Sequence, residues 1–206
     1  MKEILIMIEV RIAKVSDAQA ILDIYTPYIH YTAYTFETEM PSVAQFQKRI
    51  ETNLLKFPWI VCKVNDLIAG YAYASTHRER EAYQWSCESS VYVHELFKGK
   101  GIGRILYQIL FDLLMIQGLR NVYAGITLPN EVSVRIHEKC GFEQFAVYNN
   151  VGYKLNSWHK VGWWRLHLND YDLNPAPPIM FSNLDYGRFS EKLREATQMI
   201  KRNIRD

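Results

Sequence analysis

Apolar and polar positions switch between two periods along this chain, and the switching predicts an alternation of strands and helices. The β-branched run from Ile4 to Ala13 reads as a first strand, and Ser16-Asp17 then caps a helix through Ile21, Leu22 and Tyr25. Phe46, Ile50 and Leu54 recur at helical spacing in a second helix that must end before Phe57-Pro58. Trp59–Lys63 and Ala69–Ser75 are β-prone runs joined through Asn65-Asp66, a hairpin signal, and Cys87–Val93 is a further strand. A glycine-rich turn leads into an amphipathic helix, Arg104–Gln117, closed by Gly118 as C-cap. Val122–Thr127, a helical stretch Glu131–Lys139 ending at Cys140-Gly141-Phe142, and β-prone Phe145–Tyr153 and Val161–Leu168 complete a mixed sheet. After Asn174 the pattern changes: Pro175, Pro177 and Pro178 form a linker, and Phe189–Ile204 reads as a charged, weakly amphipathic helix without assigned chemistry. The expected division is therefore residues 1–174 as an α/β domain and 175–206 as a proline-linked helical extension.

Composition narrows the function. The 206 residues suffice for one buried core, and 24 Lys and Arg against 22 Asp and Glu leave a net charge of +2, too small a field to gather nucleic acid or an anionic membrane. Three widely spaced cysteines, Cys62, Cys87 and Cys140, form no C-x-x-C pair, which argues against a disulfide framework or a zinc site and for a reducing cytoplasm. The apolar start is broken by Glu9 and Arg11 and lacks a cleavage signal, and nothing approaches the roughly 20 apolar residues of a membrane span. No metal is expected.

The segment with the clearest chemistry is Lys98-Gly99-Lys100-Gly101-Ile102-Gly103, followed by Arg104. Its glycines let successive backbone N–H groups converge on an anion at the start of a helix, whose positive end adds to the attraction. The spacing is neither that of a nucleoside triphosphate loop nor that of a dinucleotide fold. A plain tight turn is the competing explanation.

Val91-Tyr92-Val93 followed by this turn resembles the strand and pyrophosphate loop of the GCN5-related N-acetyltransferase (GNAT) superfamily, with Lys98 where Gln or Arg is usual. Asn130-Glu131-Val132-Ser133-Val134-Arg135-Ile136-His137-Glu138-Lys139-Cys140-Gly141-Phe142 resembles its second signature, N-x-x-[AS]-x-x-x-Y-x-K-x-G-F, with His137 in place of the tyrosine that often protonates the leaving thiolate. A closer resemblance, over roughly residues 9 to 170, is to the phosphinothricin and methionine sulfoximine N-acetyltransferases. It is carried by Thr35-Phe36-Glu37, Ala82-Tyr83-Gln84-Trp85, Glu88-Ser89-Ser90-Val91-Tyr92-Val93, Leu128-Pro129-Asn130, Arg135-Ile136-His137-Glu138 and Asn156–Gly162. The resemblance implies a GNAT fold, a twisted and mostly antiparallel mixed sheet flanked by helices, with acetyl-CoA as co-substrate and a homodimeric assembly.

Acetyl transfer from a thioester needs an unprotonated amine, a polarised carbonyl and a proton for the departing thiolate. Glu88, at the start of the strand leading to the loop, is the candidate base, directly or through water; the resemblance implies the same role. His137 is the candidate acid, or a base partner of Glu88, and Tyr107 on the helix after the loop is the alternative proton donor. Val91–Val93 offers backbone groups to the pantetheine arm as an added half-strand, and Asn130 and Ser133 line the same cleft unless Asn130 is an ordinary N-cap. By resemblance, the loop holding Arg78, Glu79 and Arg80 binds the acidic end of the acceptor, with Thr35, Phe36 and His159 as pocket walls.

Other readings compete. A protein N-terminus or a polyamine is an alternative acceptor, although a polyamine site should present carboxylates rather than Arg78 and Arg80. A silent acetyl-CoA-binding domain would lack Glu88 and His137, and a Cys87-dependent acyltransferase would need a histidine paired with the thiol.

Overall fold

The computed structural model describes residues 6–205. Among these, seven strands form one sheet: β1 (Ile8–Ile12), β2 (Trp59–Val64), β3 (Leu67–Thr76), β4 (Ser86–Val93), β5 (Asn121–Leu128), β6 (Glu143–Lys154) and β7 (Ser157–His167), in the order β1-β2-β3-β4-β5-β7-β6. Every neighbouring pair runs antiparallel except β4 and β5. The expected mixed, mostly antiparallel sheet is thus present. The first strand is shorter than its apolar run, and the part of that expectation at residues 4 and 5 lies outside the described residues.

Two helices, α1 (Ala18–Tyr31) and α2 (Val43–Lys56), cover one face of the sheet; Ile21, Ile24, Ile29, Phe46 and Ile50 pack there against Trp59, Val61 and Tyr71. Ser42 starts α2 by accepting from Gln45 N while Gln45 returns the bond to Ser42 N, a reciprocal cap. The expected cap at Asp17 is different in kind. Its carboxylate takes both guanidinium nitrogens of Arg11, at 2.7 and 2.8 Å, and α1 starts behind a short 3-10 turn at Val15–Asp17. The other face is covered by α3 (Ile102–Gln117) and α5 (Ser190–Arg205), and α4 (Glu131–Lys139) closes its end. Leu106, Leu110, Leu113 and Leu114 of α3 are fully buried on Ala72, Ala74, Val122 and Ala124.

The C-terminal segment joins this second core. Phe181, Phe189, Leu193, Ala196 and Ile200 are buried within it, at spacings that give α5 a strong apolar face despite its charge. The proline stretch is pinned along the way. Trp85 Nε1 donates to Ala176 O at 2.9 Å, and Gln117 Nε2 donates to Ile179 O at 2.7 Å and Lys56 O at 2.9 Å. At β1, Thr197 Oγ1 accepts from Val10 N at 2.9 Å, and Asn203 near the end of α5 donates to Lys100 O at 3.4 Å.

Candidate active site

The strand register creates the site. β4 and β5 pair only at Ser86–Asn121, Cys87–Val122 and Glu88–Tyr123, and the ladder then ends, so the two strands splay apart from Ser89 and Ala124 onward. Each keeps its outer neighbour, β3 for β4 and β7 for β5. A parallel pair that opens leaves Ser89–Val93 with backbone groups facing a wedge, where an extended amide-bearing chain can complete the ladder.

The wide end of the wedge leads to the glycine turn. Gly99 and Gly101 have φ of +78° and +72°, the left-handed region that favours glycine, and Gly101 is the N-cap of α3. Gly103 lies one turn further, where a Cβ would come within 3.1 Å of Ile136 and 3.3 Å of Val93, so α3 sits tightly on the strand and on α4. Left-handed glycines before a long helix turn consecutive N–H groups outward beside its positive end. These residues fit a pyrophosphate and the pantetheine amides behind it. Ile102 is buried and anchors the turn, while Lys100 is exposed. Lys98 pairs with Glu95 and lies 5.7 Å over the Tyr28 ring, so its charge is committed beside the turn.

At the narrow end the two faces of the sheet differ. On the α3 face, Tyr107 and His137 had been separate candidates for one role, and the structure joins them: Tyr107 Oη is 2.9 Å from His137 Nε2. Nδ1 of His137 lies 2.7 Å from Ser133 O, and because a carbonyl only accepts, Nδ1 carries the proton and Nε2 accepts from the phenol. Burial lowers the His137 pKa and raises that of Tyr107, so both are held neutral. Phe111 and Phe142 complete the dry surroundings.

The α1–α2 face carries Glu88, whose side chain is 31% exposed. Its partner is not His137, which sits across the sheet, but His77: Nδ1 of His77 is 2.9 Å from Glu88 Oε1. Arg78 Nη1 is 3.7 Å from the same oxygen and donates to His77 O at 2.9 Å. Glu79 and Arg80 are exposed beside it. Below the loop, a cavity of about 500 Å³ runs from Ser75 and Thr76 past Tyr73 and Tyr25 to Glu37 and Arg49. Glu37 and Arg49 pair at 2.6 Å, and Thr35 Oγ1 is 2.6 Å from Tyr25 Oη.

Phe36 and His159 come together, with ring centres 6.3 Å apart, where the α1–α2 connection meets the β6–β7 hairpin. Gly152 makes that approach possible, since a Cβ there would lie 2.2 Å from the Phe36 ring. Lys154 was missed in the sequence; it is buried and donates to Thr35 O at 2.8 Å, tying the hairpin to that wall. Asn130 does what the simpler expectation allows, capping α4 by accepting from Ser133 N at 3.1 Å. Cys87 is fully buried with its thiol pKa raised, and Cys62, also buried, is pushed up to about 12, which leaves neither poised as a nucleophile. Among the described residues no group of His, Cys, Asp and Glu could hold a metal ion.

Comparison with known proteins agrees with this geometry. Residues 10–163 match the family model described as an acetyltransferase (GNAT) domain. A phosphinothricin N-acetyltransferase of Streptomyces viridochromogenes is 37% identical over 171 residues, 83% of this chain and 91% of that protein. An L-methionine sulfoximine/L-methionine sulfone acetyltransferase of Salmonella typhimurium is 32% identical over 167 residues, 79% and 95% of the two chains. Among solved structures, a Salmonella typhimurium acetyltransferase with its cofactor acetyl-CoA superposes with a TM-score of 0.79 at 30% identity, covering 82% of this chain and 99% of that one. A Sinorhizobium meliloti phosphinothricin acetyltransferase in complex with acetyl-CoA gives 0.77 at 27% identity, covering 84% and 98%. The opened β4–β5 pair, the glycine turn and these relatives converge, and the chain belongs to the GNAT family of acetyltransferases.

Proposed function

We propose that this chain moves the acetyl group of acetyl-CoA onto the α-amine of a small amino-acid-like acceptor with an anionic end, of the phosphinothricin and methionine sulfoximine class. The carrying observation is Glu88 at the closed end of the wedge, next to Arg78 and paired across the sheet with Ser75, which lines the cavity. Bound acetyl-CoA supplies an activated thioester carbonyl. Val91–Val93 hold the pantetheine amides, and the N–H groups from Gly99 to Gly103, with Arg104, hold the phosphates.

Glu88 accepts the proton of the acceptor ammonium, directly or through water, freeing the lone pair for attack. Arg78 and Arg80 take the anionic end with paired donors, and Thr35, Phe36 and His159 bound the acceptor on the other side. Attack forms the C–N bond and the C–S bond breaks; Glu88 passes its first proton to solvent and takes the second from the acylated nitrogen. On the dry face, the Tyr107 hydroxyl turns from His137 Nε2, gives its hydrogen to the departing sulfur and regains one from water once CoA leaves. His137 keeps the phenol in place through its own bond to Ser133 O.

The names of the relatives support the acceptor class. The test is CoA thiol release from acetyl-CoA with methionine sulfoximine, phosphinothricin, ordinary amino acids, spermidine and a peptide as parallel acceptors. Turnover confined to the first two is expected; turnover only with spermidine or peptide overturns the acceptor.

The assembly we propose is a homodimer in a reducing cytoplasm. Phe145, Tyr148 and Tyr153 on β6 and Trp158 on β7 are exposed apolar side chains on one hairpin, an area that a second copy would cover. Among the described residues no helix is long and apolar enough to cross a membrane. A solution mass equal to one chain overturns the dimer.

A further inference from the structure

We propose that His77 is a positioning residue for the base: its Nδ1–H holds one oxygen of Glu88 and leaves the other for the acceptor amine. The inference rests on the reading of Glu88 as the base and names what holds that base.

The geometry is specific. His77 lies just beyond β3, in the loop that carries Arg78, and its side chain is only 14% exposed. Its ring stacks on Tyr123 of β5 at 4.4 Å and 18°, and is met edge-on by Tyr83 at 6.1 Å and Trp163 at 6.3 Å. Tyr123 is the β5 residue paired with Glu88, at the last rung before the strands splay. The imidazole therefore bridges the loop, β4 and β5 at the apex of the wedge. A ring held on three sides has little rotational freedom, so its Nδ1 presents a fixed donor 2.9 Å from Oε1.

The chemistry follows from that placement. A carboxylate that accepts one bond from a fixed donor has its second oxygen directed. Arg78 lies 3.7 Å from the same oxygen but is half exposed and is also wanted by the acceptor. Around the pair lie the phenols of Tyr73, Tyr83 and Tyr123, Arg165 opposite Tyr123 on β7, and the exposed Arg80 of the same loop. His77 is therefore the fixed, half-enclosed donor in the set.

Two substitutions separate its properties. His77→Phe keeps a ring for Tyr123 and removes the donor, whereas His77→Asn keeps a donor near the position of Nδ1 and removes the ring. The expected result for His77→Phe is a kcat lower by about 10- to 100-fold, with KM for acetyl-CoA essentially unchanged. His77→Asn should recover most of the kcat. A His77→Phe kcat equal to that of wild type overturns the proposal, as does a His77→Asn enzyme no better than His77→Phe, since packing alone would then explain the ring.

The failure of the base assignment reads differently. Glu88→Gln with unchanged activity removes the base reading itself. If Glu88→Gln collapses the rate, adding His77→Phe to it should cost nothing further, because His77 acts through that carboxylate; a further additive loss would sink the coupling.

Discussion

The two faces of the sheet at the end of the β4–β5 ladder solve opposite problems with similar parts. On the α3 face, Tyr107 and His137 are buried to 0% and 5% exposure, bonded to each other and held neutral by burial in an aromatic enclosure. On the α1–α2 face, Glu88 sits with an imidazole and a guanidinium in a half-open, charged setting. Each side has a histidine, yet one ring accepts from a phenol and the other faces a carboxylate. A single strand separates them, because alternate residues of β4 point to opposite faces. Side-chain alternation is thus what lets one side stay dry while the other, a residue away, opens to solvent.

The comparison breaks most severely at the base. Glu88→Gln should lower kcat/KM by about 10²- to 10⁴-fold, with acetyl-CoA binding retained by calorimetry; a loss of cofactor affinity instead would mean a structural role. Removing Arg78 and Arg80 together as alanines should raise KM for an acidic amino acid by about 10- to 100-fold, with little change in kcat. An unaltered KM would disprove the clamp.

On the dry side the effects are smaller. Tyr107→Phe removes the hydrogen offered to sulfur and should reduce kcat by about tenfold, with KM for the acceptor unchanged. A raised acceptor KM would show that the two faces are not separate. At the shared cofactor turn, Gly101→Ala places a Cβ at φ +72° and 2.7 Å from Asn203 Nδ2. The left-handed backbone costs about 1–2 kcal/mol, expected as a lower melting point and a raised KM for acetyl-CoA.

The mildest test uses pH and folding. Burial lowers the His137 pKa, so the unfolded chain takes up this proton before the folded one does. That stability is complete above the ordinary histidine value near about 6.5 and is lost as pH falls below it. His137→Asn should therefore lose less stability than wild type over that acid window in urea titrations at successive pH values. Parallel acid profiles would exclude burial of His137 as a contributor.

The sequence revealed the glycine turn and most elements because those signals are local: three left-handed or closely packed glycines before a helix, and apolar periods that tertiary packing later obeyed. The pairings within the site depend on register. His77 meets Glu88 across 11 positions only because Ser75 pairs with Glu88 on β3 and β4, and Tyr107 meets His137 across 30 positions through helix packing. His77 stands in the charged run His77-Arg78-Glu79-Arg80-Glu81, and nothing local in the sequence distinguishes it as the partner of Glu88. Lys154 was equally hidden, since a lysine in a strand gives no sign that it will be buried under Thr35. The tail reads as weakly amphipathic because its charges outnumber its apolar residues, while Phe189, Leu193, Ala196 and Ile200, with the partly buried Ile204, set the face that docks.

That docking decides how the sheet can grow. β1 and β6 are its two outer strands. Along β1, α5 lies as a lid on the rim, and Thr197 occupies the Val10 amide that a foreign strand would need. The rim at β6 has no such cover among the described residues. In the terms of polymer chemistry, a rim blocked at β1 leaves at most one end for strand addition, and a unit with fewer than two such ends cannot propagate a filament by that route.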